Sequence, residues 1–305
     1  MGIKFIFLLI TISLISACGS GTENNADSKV VEAIVPEAFG QIVDSTVGGL
    51  KYASGQYEGI TDENGRFGYL IGEQIQFFIG DIEVGFEIEP KALLTPYDLA
   101  SGNSFGAINI ARFLQSLDDD NELSNGIQIH PTSHSLAELK EIDFLSQEWE
   151  LSNLENSSIE QLIYLLTSET SSGSRYSVNT SDAYYHFAST LDNLMNNLEL
   201  QIVDELDATG CLTNSECKSY SLTTSFIGFC PPGDTIYIYS ETNTEFQKID
   251  NLAEERNGLK TVKSELRDIA NIPILGGLCT SFQVPQYPIC NEQSRCEFID
   301  SIPIE

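Results

Sequence analysis

Hydrophobic and polar positions alternate along the chain with four different rhythms. The first is a run of thirteen apolar or small residues, FIFLLITISLISA, between Lys4 and Cys18. A bilayer span needs about 20 such residues. A positive start, a short apolar run and small residues at its end have the layout of a secretory leader instead. Residues 19–40 are dominated by Gly, Ser, Asn and acidic side chains at first and predict a polar tether. From 41 to 92 the period is two: Phe67 and Tyr69, then Ile75, Phe77 and Ile79, alternate with polar or small neighbours, which predicts strands. Asn64-Gly65 between two such flanks predicts a hairpin turn, since both residues tolerate positive φ.

From 93 to 208 the period becomes helical. Ile110, Phe113, Leu114 and Leu117 stand at i, i+3, i+4 and i+7, and Ile159, Leu162, Ile163 and Leu166 repeat the pattern. Ser157 and Glu160 predict a capping box in front of the second helix. Phe187, Leu191, Leu194 and Leu198 mark a third helix starting near Ser181, and residues 168–180 read as a flexible surface loop. From 209 to 305, TIYIYS (235–240) reads as a strand. One helix ends near Gly258 and another begins at Leu259, and a loop-like close carries Pro285 and Pro288. The fold class expected is α+β multidomain. It comprises a leader (1–17), a tether (18–40), a small antiparallel β-sandwich module (41–92), a helical segment with an acidic loop (93–208) and a disulfide-rich α+β domain (209–305).

Three stretches carry resemblances. Ile15-Ser16-Ala17-Cys18 resembles the lipobox of bacterial lipoproteins. The resemblance implies cleavage before Cys18, a thioether-linked diacylglycerol on its sulfur and an acylated amino group. Two or more acyl chains hold firmly where one binds only reversibly. Gly19 rather than Asp after the cysteine implies the outer membrane of a Gram-negative envelope. Gly59, Thr61, Asp62, Gly65, Phe67 and Tyr69 resemble the strand–turn–strand of prealbumin-like and carboxypeptidase-regulatory-like β modules, which are spacers and binding domains. Arg112, Leu114, Gln115, Leu117, Asp118, Asp120, Asn125, Gly126 and Ile127 resemble a pattern that follows such modules in marine-type lipoproteins and names no activity. The cysteine frame around YIYS looks like a small disulfide domain at the ends of some exported proteobacterial proteins, with Cys230-Pro231-Pro232-Gly233 where Cys-Gly-Gly is usual.

Charge narrows the partners. The chain holds 45 acidic residues against 15 Lys and Arg, a formal net charge of −30, which repels nucleic acid and anionic headgroups. Cysteine usage adds the compartment. The six after Cys18, namely Cys211, Cys217, Cys230, Cys279, Cys290 and Cys296, are clustered at one end and read as three disulfides. No C-x-x-C pair supports a metal instead, and the pairing stays open among fifteen arrangements.

The acidic loop carries the most suggestive chemistry. Asp118, Asp120 and Glu122 alternate as the first EF-hand ligands do, with Asn125 just beyond. The sixth position is Leu123 and the twelfth Ile129, so this is no standard EF-hand. The two readings are a weak Ca²⁺ site and a solvated acidic loop. Carboxylates at a helix C-terminus oppose the macrodipole by about 0.3–1 kcal/mol each, which a cation would relieve. For catalysis the chain offers only His130, His134 and His186, with no H-E-x-x-H, G-x-S-x-G, Walker or G-x-G-x-x-G motif. His186 beside the Phe187 stripe reads as packing or surface, and Trp149, Tyr176 and Tyr184-Tyr185 as core or an aromatic ligand surface. The function expected is a lipid-anchored, non-catalytic binding or adhesion module with an unknown protein or glycan ligand. The alternative is an envelope hydrolase or hydrolase inhibitor with its site in the disulfide-rich domain.

Overall fold

In the computed structural model, residues 34–150, 157–223, 234–241, 246–273 and 287–299 are described, and Val35 onward belongs to one unit. The chain is mixed α and β, with small sheets and six helices among the described residues. Strands β1 (Ala38–Ile42), β2 (Val47–Gly48), β3 (Lys51–Ser54), β4 (Tyr57–Ile60), β5 (Arg66–Tyr69), β6 (Ile75–Ile79), β7 (Ile82–Glu83) and β8 (Leu93–Leu94) come first. Helices α1 (Pro96–Leu99) and α2 (Ser104–Ser116), strand β9 (Ile127–Gln128), and helices α3 (Pro131–Leu136), α4 (Ser158–Leu166) and α5 (Thr180–Glu205) follow. Strands β10 (Cys217–Thr223) and β11 (Asp234–Ser240), helix α6 (Phe246–Ile269) and strands β12 (Tyr287–Cys290) and β13 (Cys296–Ile299) complete the chain.

The β-rich part forms a four-stranded antiparallel sheet in the order β4-β3-β6-β7 and a three-stranded sheet in the order β5-β1-β8. In the latter, β1 runs antiparallel to β5 and parallel to β8. The period-two reading holds in detail: Ile75, Phe77 and Ile79 are fully buried, and Phe67 meets Phe77 edge to face with centroids 5.3 Å apart. The expected turn at Asn64-Gly65 is also present. Asp62 Oδ1 accepts from the amides of Asn64 and Arg66, both at 2.9 Å, and Gly65 has φ +73°. The expected hairpin is not: β4 and β5 leave that turn for different sheets, and β4 pairs instead with β3. A turn residue sets local curvature, whereas partner choice depends on which apolar face a strand must cover.

The amphipathic helices lie where their periodicity put them. Helix α2 buries Ile110, Phe113 and Leu114, with Asn103 capping its start by accepting from the Gly106 amide at 2.8 Å. Helix α4 starts at the predicted cap, Ser157, whose hydroxyl accepts from the Glu160 amide at 3.2 Å. The other half of the box is spent elsewhere. The Glu160 carboxylate, almost fully buried, accepts from the amide and hydroxyl of Ser177. Helix α6 runs unbroken through Gly258, where two helices were expected, and a Cβ there would meet nothing within 4 Å among the described residues. Its Val262 and Leu266 join the same core as Phe77, Phe113 and Phe187. The close of the chain, expected as a loop, contains the β12–β13 hairpin with Cys290 opposite Cys296.

Candidate functional site

The acidic loop leaves α2 at Leu117 and returns through β9, which pairs in parallel with β2. Asp118 is fully buried. Its Oδ1 accepts from the Gln128 amide and its Oδ2 from the Glu122 amide, both at 2.9 Å. Asp120 Oδ1 takes the same Glu122 amide at 2.9 Å, and its Oδ2 takes the side-chain amide of Asn125 at 2.9 Å. Burial pushes the Asp118 carboxyl up, and the nearby Asp120 carboxylate adds to the rise. The hydrogen bonds from Asn125 and Glu122 draw the exposed Asp120 down. Asp118 and Asp120 thus share one backbone amide, that of Glu122, and Asn125 joins them through Asp120. The Glu122 carboxylate does not join them, because it turns back to the hydroxyl of Ser124 at 2.7 Å.

Sequence reasoning missed the partner of this loop. Residues 168–180 are anchored rather than free. The Asp119 carboxylate accepts from the Ser171 amide and hydroxyl at 2.9 and 2.6 Å. Arg175 donates to Ser116 O at 2.8 Å and to Thr170 Oγ1 at 3.0 Å, which sets its guanidinium at the end of α2. Burial lowers its pKa, while the charges of Asp118, Asp119 and Asp120 raise it again. The chain therefore supplies its own cation to the carboxylates at the helix end, and the macrodipole cost falls. The signal available was one arginine inside a Ser-rich stretch, with nothing local to say where it would point.

A second feature is a surface groove of about 690 Å³ on the four-stranded sheet. It is lined by Lys51, Glu58, Ile60, Phe78 and Asp81, among others. Ile60, on edge strand β4, is 59% exposed. The groove combines apolar side chains with both signs of charge.

The aromatic residues divide. Trp149 is buried, donates from Nε1 to Asp143 O at 3.1 Å, and stacks on Phe144 beneath the Arg112 guanidinium. Tyr184 is buried too, and Tyr176 pairs with Tyr164 at the surface, centroids 5.3 Å apart. Four of the predicted disulfide cysteines are paired, Cys211 with Cys290 and Cys217 with Cys296. Cys18, Cys230 and Cys279 lie outside the described residues. No helix among the described residues is long and apolar enough to cross a membrane. Comparison with protein-family models, curated proteins and solved structures finds no match to this chain.

Proposed function

We propose that this protein is an exported lipoprotein, held at the membrane through Cys18, whose body is a non-catalytic binding module for a protein or glycan. In this reading the strands of 41–92 act as a small sandwich module and the disulfides staple the C-terminal end. The groove across the four-stranded sheet carries the reading. It is open, lies beside β4, an edge strand among the described residues, and sets Lys51 between Ile60 and Phe78 with Glu58 and Asp81 also in its lining. Such a surface recognises an extended partner by apolar contact with a charged rim. Ca²⁺ at Asp118, Asp120 and Asn125 would brace the acidic loop.

A photo-crosslinking residue at position 60 or 78, in cells producing the full chain, tests the groove. A discrete adduct that disappears when Lys51→Glu is added supports it, and no adduct from either position rejects it. Cys18→Ser tests the anchor: the protein should move from the membrane to the soluble fraction. Thermal melting with millimolar Ca²⁺ against chelator tests the loop, where a rise lost in Asp118→Ala/Asp120→Ala is expected.

A further inference from the structure

Between β1 and β2 the chain turns through Asp44 and Ser45, and this turn is pushed into the protein rather than out of it. Asp44 has no exposed surface, and Ser45 is held at φ +58°. Three elements close around the turn. From α5, Thr190 Oγ1 accepts the Ser45 amide at 3.0 Å. From α2, Gln115 Nε2 donates to Asp44 Oδ2 at 2.7 Å. From the acidic loop, Leu123 O accepts the Ser45 hydroxyl at 3.3 Å. His186 of α5 completes the ring.

The arrangement looks at first like a serine–histidine–aspartate set, but its geometry is wrong for nucleophilic catalysis. In a catalytic triad the carboxylate orients one imidazole nitrogen and the serine uses the other. Here a single nitrogen, His186 Nε2, faces everything: Ser45 Oγ at 3.0 Å, Asp44 O at 3.4 Å and Asp44 Oδ1 at 4.0 Å. A nitrogen surrounded by oxygens must present either a proton or a cation to them.

A proton is too little. One N–H satisfies one or two acceptors. Asp44 Oδ1 and Gln115 Oε1 remain buried with no hydrogen-bond partner among the described residues. Protonating Asp44 on Oδ1 would remove its charge but leave a buried O–H, with the imidazole nitrogen 4.0 Å away. Burying an unpaired polar group is costly in either form. A cation differs in that it serves several oxygens at once.

We propose that His186 Nε2, Ser45 Oγ, Asp44 O and Asp44 Oδ1 form a divalent transition-metal site. Ligands about 2.1 Å from a common ion lie roughly 3.0–4.2 Å apart, from right angles to opposite positions. The separations of 3.0, 3.4 and 4.0 Å from Nε2 fall in that range. One imidazole among oxygens selects Zn²⁺, Co²⁺ or Mn²⁺ over Ca²⁺ or Mg²⁺, which take oxygen ligands. Access is open because His186 is 17% exposed and Ser45 half-buried, while the net charge of −30 draws cations in. The site is separate from the loop carboxylates, although Leu123 connects them. Its role is to fasten the β1–β2 turn to α2 and α5.

The test uses the full, non-reduced chain stripped with chelator, then titrated with Zn²⁺, Co²⁺ and Mn²⁺. The expected result is a melting temperature raised by several degrees at micromolar Zn²⁺ and visible absorption from bound Co²⁺. Asp44→Asn keeps the shape and the contact to Gln115, so it should fold. Asp44→Asn and His186→Gln should each weaken the response at least tenfold, and Asp118→Ala/Asp120→Ala should retain it. Indifference of the wild type to all three ions overturns the proposal. So does a response that survives both Asp44→Asn and His186→Gln, or one that the loop variant abolishes. A water in the same place would serve the oxygens too, but it would leave stability independent of added metal.

Discussion

At the residue scale, His134 shows how a side chain with no catalytic motif around it can still be chemically constrained. Its Nδ1 accepts from the Gly80 amide at 3.0 Å, and its Nε2 lies 2.8 Å from Gly49 O. Those two contacts require a neutral ring with the proton on Nε2. Gly80 sits at φ +60° in the β6–β7 turn, and a Cβ there would stand 2.3 Å from His134 O, so the residue at 80 must be glycine. Burial lowers the His134 pKa from its ordinary value of 6.5, outweighing the contact to Gly49. The folded state then binds fewer protons than the unfolded chain in the window just below pH 6.5. Stability from this ring is full above about pH 6.5 and declines as the pH falls through that window. Denaturant unfolding at pH 7.5 and 5.5 reads this ring as the difference between the wild type and His134→Gln, which should shrink at pH 5.5, since the buried Asp44, raised to about 7, and His186, lowered by burial, act on both proteins alike. His130 caps α3 by accepting from the Thr132 amide at 3.2 Å, with Pro131 at the first helical position.

At the element scale, α5 and α6 pack as an antiparallel pair tied by charge. Asp192 meets Lys263 at 2.6 Å, Glu199 meets Arg256 at 3.4 Å, and Glu205 meets Lys248. Acids on α5 and bases on α6 recur about every two turns, which sets the register of one helix along the other. The sequence divides α6 at Gly258, since glycine is a poor helix former and a common cap. The structure shows continuity because the apolar positions on either side, Ile249 and then Val262 and Leu266, are buried along one helix. At Gly258 an added Cβ would meet nothing within 4 Å among the described residues. Gly258→Ala should therefore stabilise the protein by about 0.5–1 kcal/mol, read as a higher denaturant midpoint with an unchanged slope.

At the scale of the whole molecule, the two disulfides act together. Each joins residues 79 apart, and the bridged positions advance in step, 211 to 217 and 290 to 296. In the chain-entropy account the first bridge to close such a loop contributes about 4–5 kcal/mol. With it in place, the second closes a ring of only about a dozen residues and contributes about 3 kcal/mol. Removing either bridge as a Cys→Ala pair should thus cost about 3 kcal/mol, and removing both about 7 kcal/mol, more than twice the single loss. Equal, additive losses would refute this coupling. Non-reducing peptide mapping should find both bridges, with Cys230–Cys279 as the one pairing left for the third that the cysteine count predicts.

What the sequence determined by itself is local or compositional. The period-two run at Ile75–Ile79, the i, i+3, i+4, i+7 stripe of α2, the Ser157 cap and the Asp62–Gly65 turn each depend on neighbours within a few residues. All four stand in the structure. What only the tertiary structure decided is partnership over distance. It paired β4 with β3 and not β5, aimed Arg175 at the end of α2, spent Glu160 on Ser177, and brought His186 to the Asp44–Ser45 turn 141 residues away. A short-range pattern states which face of an element is apolar. It does not state which of several compatible faces will cover it, nor which buried charge will then need a partner. That choice is made by the packing of the whole chain, and with it the candidate site.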